Sequence, residues 1–80
     1  MNLIKIRYFA ALREQAGSPG EELETAAGTA AELYEQLRQK HGFSLTADQV
    51  KVAVNEEYRP LDYALSAGDE VVFIPPVSGG

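Results

Sequence analysis

One segment narrows the architectures open to this chain more than any other. Over residues 29–42, TAAELYEQLRQKHG, the apolar residues Ala30, Leu33, Tyr34 and Leu37 recur at i, i+3, i+4 and i+7. That spacing lines up a single apolar stripe on an α-helix. Thr29 is a good N-cap, Glu32 three residues on completes a capping-box pattern, and Gly42 stands where a helix can stop in a left-handed conformation. Lys40 and His41 fall in the last turn, where positive charge meets the negative end of the helix dipole. The one histidine is thereby accounted for without a catalytic role. A helix with one apolar stripe must bury it, and in 80 residues a small sheet is what the rest of the sequence can supply.

The flanking segments read as that sheet. Residues 2–9, NLIKIRYF, alternate, with Ile4, Ile6 and Tyr8 on one side and Lys5, Arg7 and Phe9 on the other. AALREQAG fits a short helical turn ended by Gly17, and GSPG (17–20) a loop. EELET (21–25) alternates weakly around Leu23 and is expected to return as a hairpin partner of the first strand; Glu21, Glu22 and Glu24 read as a solvated edge. Val50, Val52 and Val54 mark a strand, Asn55-Glu56-Glu57 a turn, and Tyr58 a short return limited by Pro60. LDYALSAGDE is expected to hold part of a helical turn, then a turn at Gly68-Asp69. EVVFIP (70–75) is apolar from Val71 to Ile74, so both of its faces are covered or sticky, which places it centrally beside the first strand. The order β-β-α-β-β-β predicts one α+β domain over 1–80. It is a β-grasp, or ubiquitin-like, roll: one main helix on a mixed sheet of about five strands, with 75–80 an extended tail.

Composition removes most chemistry. A net charge of −5 disfavours nucleic acid and anionic membranes; it suits a partner with a basic docking surface, or serves solubility alone. There is no cysteine, hence no disulfide, thiolate nucleophile or zinc ribbon, and a single histidine makes a metal site or a triad a poor expectation. GSPGEE lacks the Gly-Lys-Ser/Thr ending of a phosphate loop. No apolar run approaches the roughly 20 residues that span a bilayer, and the first residues lack a signal-peptide cleavage site, so the cytoplasm is the expected location. Alone, the domain is expected to be non-catalytic, which fits a carrier, an adaptor or one subunit of a larger enzyme.

The sequence closes on Pro75, Pro76, Val77, Ser78, Gly79 and Gly80. The two prolines remove backbone donors and favour a stiff, extended exit from the sheet. The last four residues can reach roughly 13 Å, and a Gly-Gly pair, having no Cβ, can enter a channel too narrow for other residues. An α-carboxylate on Gly80 is a poor electrophile until adenylated; once activated it can acylate sulfur or an amine, with AMP leaving. A carrier that holds sulfur on its own C-terminus needs no thiol side chain. Gly80 is thus the expected group-bearing residue, with Gly79, Ser78, Val77, Pro76 and Pro75 threading the tail. A docking patch of Phe9, Tyr58 and Ile74 is expected on the sheet face opposite the helix, near the exit.

RYFAALREQAG at 7–17 and AGDEVVFIPPVSGG at 67–80 closely resemble the small subunit of molybdopterin synthase. The resemblance runs along the whole chain. It implies that a separate E1-like adenylating enzyme spends ATP to activate Gly80, and that a sulfur donor converts the glycyl adenylate to a thiocarboxylate (1-thioglycine). It further implies that the tail then enters the large subunit of the synthase, where sulfur passes to cyclic pyranopterin monophosphate, twice per dithiolene. The large subunit would supply the catalytic side chains, in a heterotetramer. Three alternatives remain at this point: a carrier for thiazole synthesis or another pathway, a ubiquitin-like protein modifier joined through Gly80 to lysines, and a non-catalytic ubiquitin-like interaction module with an idle tail.

Overall fold

The structure, a computed structural model, describes residues 1–76. Strand β1 (Asn2–Tyr8) leads into helix α1 (Ala10–Ala16), then β2 (Gly20–Thr25), helix α2 (Ala30–His41), a 3-10 turn (Ala47–Gln49), β3 (Lys51–Val54), β4 (Glu57–Arg59) and β5 (Glu70–Ile74). The five strands form one sheet in the order β2-β1-β5-β3-β4. β1 and β5 run parallel, and every other neighbouring pair is antiparallel. The fold is the α+β roll predicted from the sequence, with the apolar strand β5 at its centre.

Why β5 occupies the middle follows from its side chains. Val71 and Phe73 have no exposed surface, and they join Ile4, Ile6 and Tyr8 of β1 against Leu33, Tyr34 and Leu37 of α2 in one core. Burying each large apolar side chain contributes roughly 1.5–3 kcal/mol. The alternate residues Val72 and Ile74 are half-buried and face away from α2, on what we call the open face of the sheet. The strand is sealed in register against β1 by Lys5↔Glu70 through Tyr8↔Phe73, and against β3 by Lys51↔Ile74 through Val54↔Val71.

Helix α2 matches its sequence pattern, with one shift at its start. Thr29 Oγ1 accepts from the Glu32 N–H at 3.2 Å, but the Glu32 carboxylate reaches the Gly28 N–H (2.8 Å), one residue before the cap. The next two helix donors are met from elsewhere: Ala30 N–H donates to the Tyr63 carbonyl and Ala31 N–H to that of Leu61. This is why residues 61–66 do not develop the partial helical turn expected of them. They close one turn, Tyr63 N–H to Pro60 carbonyl, and then run extended through a bridge between Ala64 and Thr29, spending their carbonyls on the end of α2. Gly42 ends the helix at φ 73°, as its position predicted.

Two further local features differ from the sequence reading. The short turn after β1 is a complete seven-residue helix, α1, with Leu12 buried and Gly17 closing it in the left-handed region. The 3-10 turn at Ala47–Gln49 had no signal in apolar period. The β3–β4 hairpin, by contrast, turns where Asn55 was read to turn it: Asn55 and Glu56 both have positive φ (52° and 71°), the backbone that right-twisted hairpins favour.

Candidate functional site

The last described residues leave the centre of the sheet beside an apolar groove. Pro75 is buried and Pro76 exposed. With Ile74 they form the floor of a groove of about 630 Å³, walled on one side by Phe9, Ala10 and Ala11 and on the other by Ser44 and Leu45. Val77, Ser78, Gly79 and Gly80, the expected threading and group-bearing residues, lie outside the described residues.

Each wall has a structural cause. Phe9 is extended, and Ala10 then takes φ 51°, a left-handed conformation that a non-glycine residue adopts at a cost of about 1–2 kcal/mol. This sharp reversal starts α1 and leaves Phe9 46% exposed on the groove. Backbone strain of this kind gathers at functional sites. The opposite wall hangs from α2. Phe43 stacks on Tyr34 with ring centroids 5.8 Å apart, and the Tyr34 hydroxyl donates to the Leu45 carbonyl at 2.8 Å. Burial raises the Tyr34 pKa, so the phenol keeps its proton and stays a donor.

Of the three residues expected to form one patch, Phe9 and Ile74 meet in this groove and Tyr58 does not line it. Tyr58 lies on the open face too: it pairs with Ala53, which in turn pairs with Val72. It is 74% exposed, yet all of β3 separates it from β5, and it lines a second groove of about 670 Å³ with Val50, Pro60 and Leu61. The open face also carries charges of both signs, Lys5, Arg7 and Lys51 with Glu22 and Glu70. Arg7 is in register with Val72, and Lys51 with Ile74, and neither forms an ion pair among the described residues.

One residue that sequence reasoning set aside proves central to the support of the site. Glu21 was read as part of a solvated edge; instead its carboxylate is mostly buried where the end of α2 crosses β2. Oε1 accepts from Lys40 Nζ at 2.6 Å, and Oε2 lies 2.6 Å from both the Tyr8 hydroxyl and His41 Nε2. Burial alone would raise the Glu21 pKa, but the hydrogen bonds from Lys40, Tyr8 and His41 outweigh it and hold the carboxyl down to about 2. The Tyr8 phenol is pushed far up, by burial first and then by Glu21. His41 also packs edge-on to Tyr8 and tilts over Phe43, so the histidine ties α2 to the core. Among the described residues no group of three His, Cys, Asp or Glu side chains could hold a metal ion. Among the same residues no helix is long and apolar enough to cross a membrane.

Comparison with known proteins agrees with this geometry. The ThiS family matches residues 6–80. The molybdopterin synthase sulfur carrier subunit of Mycobacterium tuberculosis (strain ATCC 25618 / H37Rv) is 41% identical, over 96% of this chain and 96% of that one. In three dimensions the chain is similar to SAMP1 from Haloferax volcanii (TM-score 0.80, 30% identity, 99% of this chain and 100% of that one). It also superposes on a chain in the complex of subunits 1 and 2 of molybdopterin-converting factor from Helicobacter pylori 26695. That match has a TM-score of 0.67 at 24% identity over 98% of this chain and 99% of the other, a likeness of fold.

Proposed function

The chain belongs to the ThiS family, and on that footing we propose that it is a sulfur carrier, the small subunit of a molybdopterin synthase. The observation that carries this reading is the delivery of Pro75 and Pro76 from the central strand to the floor of the Phe9–Ile74 groove. A partner seated in that groove has the following residues, ending in Gly79 and Gly80, within about 13 Å of chain. The curated relative, matched along nearly its whole length, bears the same role in its name.

In this reading the carboxylate of Gly80 attacks the α-phosphorus of ATP on an E1-like adenylating enzyme, releasing pyrophosphate and leaving a glycyl adenylate. A sulfur donor then displaces AMP, and Gly80 becomes a thiocarboxylate. The loaded tail enters the large subunit of the synthase. There the sulfur bonds to cyclic pyranopterin monophosphate, water cleaves the Gly80 C–S bond, and Gly80 returns to a carboxylate, twice for each dithiolene. The chain itself supplies a fold that is indifferent to the chemistry, an apolar groove for docking, and a tail whose last two residues carry no side chain.

The direct test is the intact mass of the protein isolated from cells that are making the cofactor. Replacement of one oxygen by one sulfur at Gly80 is expected. The loaded protein, mixed with the large subunit and cyclic pyranopterin monophosphate, is expected to yield the dithiolene. Protein that carries no sulfur under those conditions, but forms conjugate ladders on lysines, overturns the proposal in favour of a protein modifier.

A further inference from the structure

We infer that Gln15 is a positioning residue for the docking groove: its carboxamide ties one wall to the other and sets the spacing a partner meets. This rests on the reading of the groove as the partner-binding surface.

Gln15 lies on α1, whose start forms the first wall. Its Nε2 donates to Ser44 Oγ at 3.0 Å, and its Oε1 accepts from the Ser44 backbone N–H at 3.2 Å. One planar group thus makes two bonds to one residue 29 positions away, and that residue belongs to the second wall. The clamp matters because α1 is lightly fastened. It has seven residues, no side-chain cap at Phe9, and a single buried residue, Leu12. The floor is held by the sheet, but α1 and the segment after α2 share no ladder.

Chemistry separates the clamp from mere occupancy. An amide offers donor and acceptor at once. A glutamate in its place has acceptors only, yet Ser44 can donate to it with both its hydroxyl and its N–H, so both contacts survive. A leucine keeps the bulk and loses both. Each bond is solvent-exposed, so the effect falls on how firmly the two walls hold a seated partner rather than on folding.

The experiment compares wild type, Gln15→Leu and Gln15→Glu for association with and dissociation from the synthase large subunit by surface plasmon resonance. Amide exchange at Ser44 is followed by NMR on the free proteins. Gln15→Leu is expected to dissociate about three- to tenfold faster, the worth of one exposed hydrogen-bonded contact. Its Ser44 amide exchanges faster and its melting temperature is unchanged. Gln15→Glu keeps the wild-type dissociation rate. A wild-type rate for Gln15→Leu overturns the inference. So does an equal loss in both variants, which would put Gln15 in direct contact with the partner. A wild-type protein that does not bind the large subunit overturns the docking reading, whereas unchanged Ser44 exchange in Gln15→Leu removes the clamp alone.

Discussion

Replacing Glu21 by Gln leaves a shape of nearly the same size but removes the charge that Lys40 and His41 face and that the Tyr8 hydroxyl meets. Hydrogen bonds to charged groups are worth roughly 1.5–3 kcal/mol each when buried, and Glu21 is partly exposed, so a loss of about 1–2 kcal/mol in urea unfolding at pH 7 is expected. The dependence on pH has a definite sign. The folded carboxyl sits at about 2 against an ordinary 4.5, so its contribution is complete above about pH 4.5 and is lost as pH falls toward 2. The gap between wild type and Glu21→Gln therefore closes across that interval, and a gap that widens on acidification contradicts the assignment. Ala10 carries strain of the opposite kind. Ala10→Gly relieves the left-handed cost while adding chain entropy to the unfolded state, for a net gain of up to about 1 kcal/mol. Guanidinium denaturation reads this directly, and a clear loss of stability would show that the methyl group, rather than the backbone, is what the site requires.

Helix α2 joins the sheet to the groove, because its buried stripe faces the core while its last turn leads into Phe43, Ser44 and Leu45. Leu37 is fully buried on that stripe. Leu37→Ala is expected to cost 2–5 kcal/mol, as cavity-forming substitutions do, which is a large share of the stability of so small a domain. A shift in melting temperature of only a degree or two would mean that the stripe does not pack as described. Elements of this kind were legible in the sequence because their signals are local. Thr29, Gly42 and the 3.6-residue period delimit α2, and the unbroken apolar run from Val71 to Ile74 marks β5 as a strand with neighbours on both sides. What escaped was long-range register. Alternation around Leu23 sets Glu21 on the opposite face from Glu22 and Glu24, but only the crossing of α2 over β2 supplies the Lys40 and His41 that it meets. Likewise Tyr58 and Phe9 share a face in sequence logic, but the strand order puts β3 between Tyr58 and the exit.

For the molecule as a whole, the arrangement separates what must be rigid from what must be offered. The core lies between α2 and one face of the sheet, so a change on the open face leaves it untouched. Ile74→Asp puts a carboxylate on the groove floor, beside Lys51, without entering that core. It is expected to keep the wild-type fold by circular dichroism and to weaken binding of the large subunit at least tenfold in calorimetry. Undiminished binding would remove this groove from the docking surface. The site's location was legible in part: the apolar floor follows from β5, but the walls depend on how α1 and the segment after α2 meet in space, which no short window of sequence encodes.

The placement of β5 also bears on how the molecule is assembled. It is synthesised after every other strand, yet it fills the gap between β1 and β3. Take it away and the sheet parts into two separate hairpins, β1 with β2 and β3 with β4, each with half its hydrogen-bonding edge exposed. Loop closure over so much of the chain makes the final zippering slow compared with forming either hairpin. A chain interrupted before residue 70 thus has neither a closed sheet nor a groove floor, and the residues proposed to carry the sulfur follow, in sequence, the very strand whose insertion finishes the structure.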